Sequence, residues 1–166
     1  MHLGDLIMAD DFEVNLIGLD DLLVKFKQIP QEVKRRSGRT ALRRAANIVR
    51  DQLKANAERL NDPSTANSIA DNVAVRFSSK RYNQTGDLMF RVGIIGGARQ
   101  SSGAGSAPGG DTFYWRFLEF GTSTIKATPF ARPAIEQSAQ RATDEFIKQF
   151  TASLDRAIRR SKKGNI

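Results

Sequence analysis

Hydrophobic and polar positions divide the chain into stretches of different period. Phe12–Gly18 (FEVNLIG) alternates weakly and predicts a first strand ending at Gly18. Leu19–Ile29 changes to helical spacing, with Leu19, Leu22, Leu23 and Phe26 on one side. Asp20 and Asp21 fall in its first turn, where the helix dipole favours acids. Pro30 restarts the pattern, and a long helix is predicted from Gln31 to about Leu60. Its apolar side holds Val33, Ala41, Ala45, Ile48 and Leu53, joined by Gln52. Gly38 is a weak point in it, costing about 1 kcal/mol relative to alanine. Ala41, Ala45 and Ala46 are small enough to let the helix approach a sheet closely, and Asn61–Ser64 (NDPS) stops it.

The period then falls to two. Asn72–Ser78 (NVAVRFS) and Asp87–Ile95 (DLMFRVGII) predict strands joined by the polar stretch SKRYNQTG. Asp111–Phe120 (DTFYWRFLEF) is dense in aromatics and predicts a third strand. Between them, Gly96–Gly110 has no apolar residue larger than alanine and predicts a flexible Gly/Ser-rich loop. A last helix is expected from Phe130 or Pro133 to Arg160, with Ile135, Ala139, Ala142, Phe146, Phe150, Leu154 and Ile158 as its stripe. The final residues, 161–166, form a basic tail expected to fray. The expected fold is therefore a single α+β domain over residues 1–166. A small antiparallel sheet, of three central strands and a candidate N-terminal strand, is packed by a long basic helix and a long C-terminal helix.

Composition adds direction. The 166 residues suit one core, and no apolar run reaches the roughly 20 residues of a membrane span. The N-terminus lacks the basic region of a signal peptide, and the chain has no cysteine, which fits a reducing cytoplasm. The net charge of +8 and pI of about 10.2 point to nucleic acid or an acidic protein surface as partner. Arg35, Arg36, Arg39, Arg43, Arg44 and Arg50 of the long helix form the candidate electrostatic interface. Acids are mixed among them (Glu32, Asp51, Glu58), and no zinc-finger, helix-turn-helix or RNA-binding signature accompanies them. A solvated helix is the plainer reading of that charge.

Catalysis finds little support. The one histidine, His2, sits at the N-terminus, which leaves no catalytic triad in a core and no His/Cys metal cluster. The glycine loop lacks the Gly-Lys-Ser/Thr of a phosphate-binding loop. Asp10-Asp11 and Asp20-Asp21 read as helix-start or surface acids rather than metal ligands. Glu119 stands out, being an acid inside an aromatic segment. Burial there demands a partner, and Arg116, Lys126 and Arg132 are near in sequence. With no second acid or base in view, a salt bridge or an edge position is favoured over catalysis. No enzyme activity, cofactor or metal is expected.

The stretch FLEFGTSTIKATPFARPAIEQ (Phe117–Gln137) resembles the hallmark of a family of tailed-bacteriophage neck proteins, the minor tail or tail-completion components of lambda-like long-tailed phages. The pattern there is an aromatic segment, Glu-x-Gly-Thr, a spacer, then Pro-Phe and a Pro-Ala that opens a long last helix. Glu119, Gly121, Thr122, Pro129, Phe130, Pro133 and Ala134 supply it here. Gly18-Leu19-Asp20 and the Lys54–Ala57 segment also match. Where many members have Thr-Gly before Ser-Ile, this chain has Thr65-Ala66-Asn67-Ser68-Ile69, without the glycine.

The resemblance implies a non-enzymatic virion protein, assembled in the bacterial cytoplasm, that joins the DNA-filled head to the tail. It also implies a ring of copies formed on assembly, with adjacent neck, portal or tail proteins as partners and non-specific contact with channel DNA, and no membrane. The rival reading from charge is a small basic protein that binds nucleic acid without sequence preference. Locally, the block reads as a stiff corner: Gly121 turns the backbone, Thr122 and its neighbours bond exposed backbone groups, and the two prolines restrict φ.

Overall fold

The computed structural model describes residues 31–61, 67–95 and 108–163. The expected strand Phe12–Gly18, the expected helix Leu19–Ile29 and residues 96–107 of the expected loop lie outside the described residues. The elements in chain order are α1 (Gln31–Glu58), a 3-10 turn (Ala70–Asn72), β1 (Val73–Phe77), α2 (Ser79–Thr85), β2 (Phe90–Ile94), α3 (Trp115–Phe120) and α4 (Ala131–Lys163).

The frame is an antiparallel pair of long helices. Ser37 near the start of α1 meets Ser153 near the end of α4, with their hydroxyl oxygens 2.8 Å apart. At the other end, the Asn56 side-chain amide donates to the Phe130 carbonyl (3.1 Å) just before α4 begins. Two apolar clusters lie along the seam. Ala41, Phe150 and Leu154 form one, flanked by Val33, Phe146 and Ile158. Leu53, Ala57, Ile69, Ala70, Val73, Phe130 and Ala134 form the other. The alanines of α1 thus serve helix–helix packing as well as sheet contact: Ala41 faces Phe150 and Leu154. The α4 stripe also sits slightly off the expected line. Ala134 and Ser138 are buried, whereas Ile135 is 58% exposed.

The part-buried Ser37–Ser153 bond offers a measure of the seam. Ser37→Ala is expected to cost about 1 kcal/mol. The urea midpoint should fall with an unchanged denaturant slope.

β1 and β2 pair antiparallel, Val73 opposite Ile94 and Phe77 opposite Phe90. Alternation sends Val73, Val92 and Ile94 inward to the second cluster. Among the described residues the sheet has two strands, not the three expected. The polar link between them forms helix α2, which ends at Gly86 with φ 77°.

The predicted third strand, Asp111–Phe120, is a turn followed by helix α3. Aromatic content suggested a strand, but the segment sorts at helical spacing. Tyr114, Trp115 and Leu118 pack against the core, while Phe113, Phe117 and Phe120 remain exposed. Anchoring at Thr112 starts this helix: Thr112 is fully buried and accepts a bond from the Asn72 side-chain amide (2.8 Å). The last helix runs to Lys163, three residues beyond its expected end.

Candidate functional site

The Glu119–Ala134 block converges on the start of α4. A helix begins with N–H groups that have no partner inside it. Here Glu119, at the end of α3, supplies the acceptors. One carboxylate oxygen accepts from the N–H groups of Phe130 and Ala131, both at 2.8 Å. The other accepts from the N–H of Arg132 (3.1 Å) and from its guanidinium Nε (3.2 Å). The next residue is Pro133, which has no N–H, and the following donor, Ala134, bonds the Phe130 carbonyl at 3.3 Å. Every donor at this helix end is thereby accounted for. The second proline of the motif stands where a donor would otherwise be left over.

Glu119 is 1% exposed. Burial pushes its carboxyl up, but the N–H groups of Ala131, Phe130 and Arg132 and the Arg132 side chain outweigh that, holding it below the usual carboxylate range. The charge at the positive end of α4 adds a favourable dipole interaction. Arg132 is largely exposed and also lies over the Phe120 ring, 5.3 Å from its centroid.

The turn between α3 and α4 is built by the rest of the motif. Gly121 ends α3 with φ 74°, and a Cβ there would stand 3.0 Å from both the Ala127 nitrogen and the Ile125 oxygen. The Thr122 hydroxyl accepts from the Ile125 N–H at 2.9 Å, and the Thr122 N–H donates to the Ile125 carbonyl at 2.9 Å. Thr128 N–H then donates back to the Leu118 carbonyl (2.7 Å), folding the turn onto α3. Phe130 and Ala134, 3% and 0% exposed, plug the core directly below, and Pro129 is exposed at the turn's end. The seven motif residues are thus one continuous corner.

That corner carries an apolar surface. Phe117 (43%) and Phe120 (65%) are exposed on α3 and Phe113 (48%) on the turn before it, with Ile125 on the turn after it and Ile135 on α4 also exposed. Phe113 and Phe117 meet edge to face, 6.1 Å between centroids. The sequence pattern had marked the aromatics but, in a strand, would have sent them to both faces of a sheet.

The six arginines of α1 divide. Arg39 sits over Phe77 at 4.1 Å, Arg35 over Tyr82 at 5.8 Å and Arg43 over Phe90 at 5.9 Å, so one side of α1 rests on rings of the sheet and α2. Arg50 pairs with Asp51 at 2.7 Å. Arg36 and Arg44 are exposed and, among the described residues, pair with no acid or ring.

A polar knot that sequence reasoning missed fixes the far end of α3. The Asn72 side-chain amide donates to the Gly110 carbonyl (2.9 Å) as well as to Thr112, and its oxygen accepts from the Gly109 N–H (2.8 Å). Ser68 N–H donates to the Gly109 carbonyl at 2.8 Å. The available signal was Asn72 at the head of an apolar strand, followed far downstream by a Gly-Gly pair.

Among the described residues no group of three or more His, Cys, Asp or Glu residues could hold a metal ion, and no helix is long and apolar enough to cross a membrane. A family model described as HK97-gp10-like, "Bacteriophage HK97-gp10, putative tail-component", matches residues 20–121, more than half of the chain. The match takes in α1, the sheet and α3 and ends at Gly121, inside the corner. No curated protein and no solved structure matches the chain.

Proposed function

From the premise that this chain belongs to the HK97-gp10-like family of bacteriophage tail components, we propose that it is a non-enzymatic structural protein of the phage neck that joins the filled head to the tail. It acts in the virion, as several copies in a ring that forms on assembly beside portal or tail proteins. Closed rings use two different patches per subunit. The observation that supports a joint is the exposed aromatic surface on the corner. A monomer rarely leaves several large apolar side chains together in water, and a contiguous apolar patch marks a protein contact. The Glu119 clamp and the Thr122 turn hold these rings on a fixed frame, so binding them loses little conformational entropy.

The arginines of α1 give the second surface an electrostatic character. Arg36 and Arg44 are the two best placed to meet acidic neighbours or channel DNA. The rival reading, a protein that binds nucleic acid on its own, has less behind it, because half of the candidate arginines already rest on rings.

Phe117→Asp with Phe120→Asp tests the joint. The double variant should fold, since both rings are exposed, with a melting temperature within a few degrees of wild type. Complementation of a phage lacking the gene should then fail, leaving full heads beside separate finished tails by electron microscopy. Normal particles from the variant would overturn the aromatic surface as the contact. Normal particles from the phage lacking the gene would overturn the neck role itself.

A further inference from the structure

The sheet has one face toward α1 and one away from it. Phe77 and Phe90 lie under the α1 arginines, and Val73, Val92 and Ile94 join the core. Alternation sends Ala74 and Arg76 of β1, with Arg91 and Gly93 of β2, to the outer face. There Ala74 stands opposite Gly93, and Arg76 opposite Arg91. Ile95 N–H donates to the Asn72 carbonyl (2.7 Å) and Ser78 N–H to the Met89 carbonyl (2.9 Å), continuing the ladder at both ends. Arg76 and Arg91 therefore occupy a hydrogen-bonded position, with Cα atoms about 5.5 Å apart.

Like charges directly opposite one another destabilise a sheet. Both side chains are exposed, and among the described residues neither meets an acid or a ring. Beside them runs an open cavity of about 260 Å³ along Ala74, Arg76 and residues 91–95. Ala74 and Gly93 make its floor, and a Cβ on Gly93 would meet nothing within 4 Å. A second cavity, of about 420 Å³, adjoins it at Ala74 and carries Arg43, Asn47 and Arg50. Among the described residues no acid lines either cavity, although Arg50 also reaches Asp51.

We propose that the outer face of the sheet binds the phosphodiester backbone of duplex DNA, with Arg76 and Arg91 gripping phosphates. A guanidinium fork bonds two phosphate oxygens at once, and an anion between the two arginines relieves their repulsion. One carboxylate would satisfy one such pair, whereas four arginines along two joined cavities suit a polyanion. The Ala74–Gly93 floor bears no polar side chain to read base edges, so binding is indifferent to sequence. Neither arginine belongs to the candidate interface drawn from the sequence. The inference rests on the neck reading only for where DNA is met: it assigns channel DNA to the sheet and leaves Arg36 and Arg44 of α1 to acidic neighbours.

Fluorescence anisotropy of the full chain with a labelled, mixed-sequence duplex of about 20 base pairs tests this. Wild type should bind at about 50 mM salt and weaken steeply as salt rises. Arg76→Gln with Arg91→Gln should lower affinity at least about 10-fold and flatten the log–log salt slope by about 2. Its melting temperature should match or exceed wild type, since a repulsion is removed. Lys148→Gln with Arg156→Gln, at exposed positions of α4, removes the same charge and should change affinity by less than about 3-fold. No binding by wild type, or equal losses in the two double variants, would overturn the proposal. So would polyglutamate displacing the labelled duplex more readily than unlabelled duplex does, which would assign the arginines to an acidic protein. None of these results touches head–tail joining, which the particles formed without the gene decide.

Discussion

Glu119→Gln should cost about 3 kcal/mol of folding stability at neutral pH, a large share of what a domain of this size has. The variant keeps the size of the side chain but removes its charge. Three backbone N–H groups and the Arg132 guanidinium then compete for one neutral oxygen. Charge-assisted bonds are roughly twice as strong as neutral ones, and the amide brings donors of its own into a place already full of donors.

The pH dependence separates this clamp from simple packing. The Glu119 carboxyl titrates lower in the folded protein than in the unfolded chain. The unfolded state therefore binds the proton first as pH falls. The stabilisation is complete above the ordinary carboxylate range and is lost as pH drops through the folded value. Urea unfolding should show a wide gap between wild type and Glu119→Gln at pH 7, closing as the solution is acidified below about pH 4. A constant gap across that range would mean that the charge is not what holds the helix. Arg132→Ala should cost less, because that side chain is largely exposed and the backbone donors remain.

Gly109→Ala should be at least as damaging, roughly 3 kcal/mol or more. A Cβ there would fall 1.9 Å from the Ser68 carbonyl oxygen and 3.1 Å from the Asn72 Oδ1. Neither side can give way. The Ser68 oxygen is backbone, and that residue is already tied to Gly109 by its own N–H donating to the Gly109 carbonyl, while Asn72 is 1% exposed with both polar side-chain atoms in use. The chain must leave the knot, which releases Thr112 and the start of α3. Loss of protection at Trp115–Phe120 by hydrogen exchange, with the Ser37 end of the helix pair intact, is the expected pattern. A variant as stable as wild type would refute the close approach.

Legibility in the sequence followed the range of the forces. The α1 and α4 helices were readable because their period persists for many turns. The pairing of Val73–Phe77 with Phe90–Ile94 was readable because β-branched and aromatic residues alternate over a short link. The α3 segment misled because Phe113, Tyr114, Trp115 and Phe117 each favour strands, while what decides them is Asn72 gripping Thr112 from 40 residues away in sequence. Glu119 was visible as an acid needing a partner, and Arg132 was among the neighbours considered. Its main partners, however, are the backbone N–H groups of residues 130–132, which no side-chain pattern displays. The six arginines of α1 looked alike in the sequence. Only the placement of Tyr82, Phe77 and Phe90 separates the three that rest on rings from those that do not.

Those three arginines also act as a gauge of alignment. Arg35, Arg39 and Arg43 are four residues apart, so their side chains repeat about every 6 Å along one ridge of α1. The rings beneath have a comparable step, with Phe77 and Phe90 at 5.2 Å and Phe77 and Tyr82 at 5.6 Å between centroids. A slip of the sheet along the helix by less than one turn breaks all three contacts together, and only a full-turn jump restores any of them. The cationic ridge therefore indexes the sheet like teeth on a rack, and it holds β1 at a fixed height against the helix pair.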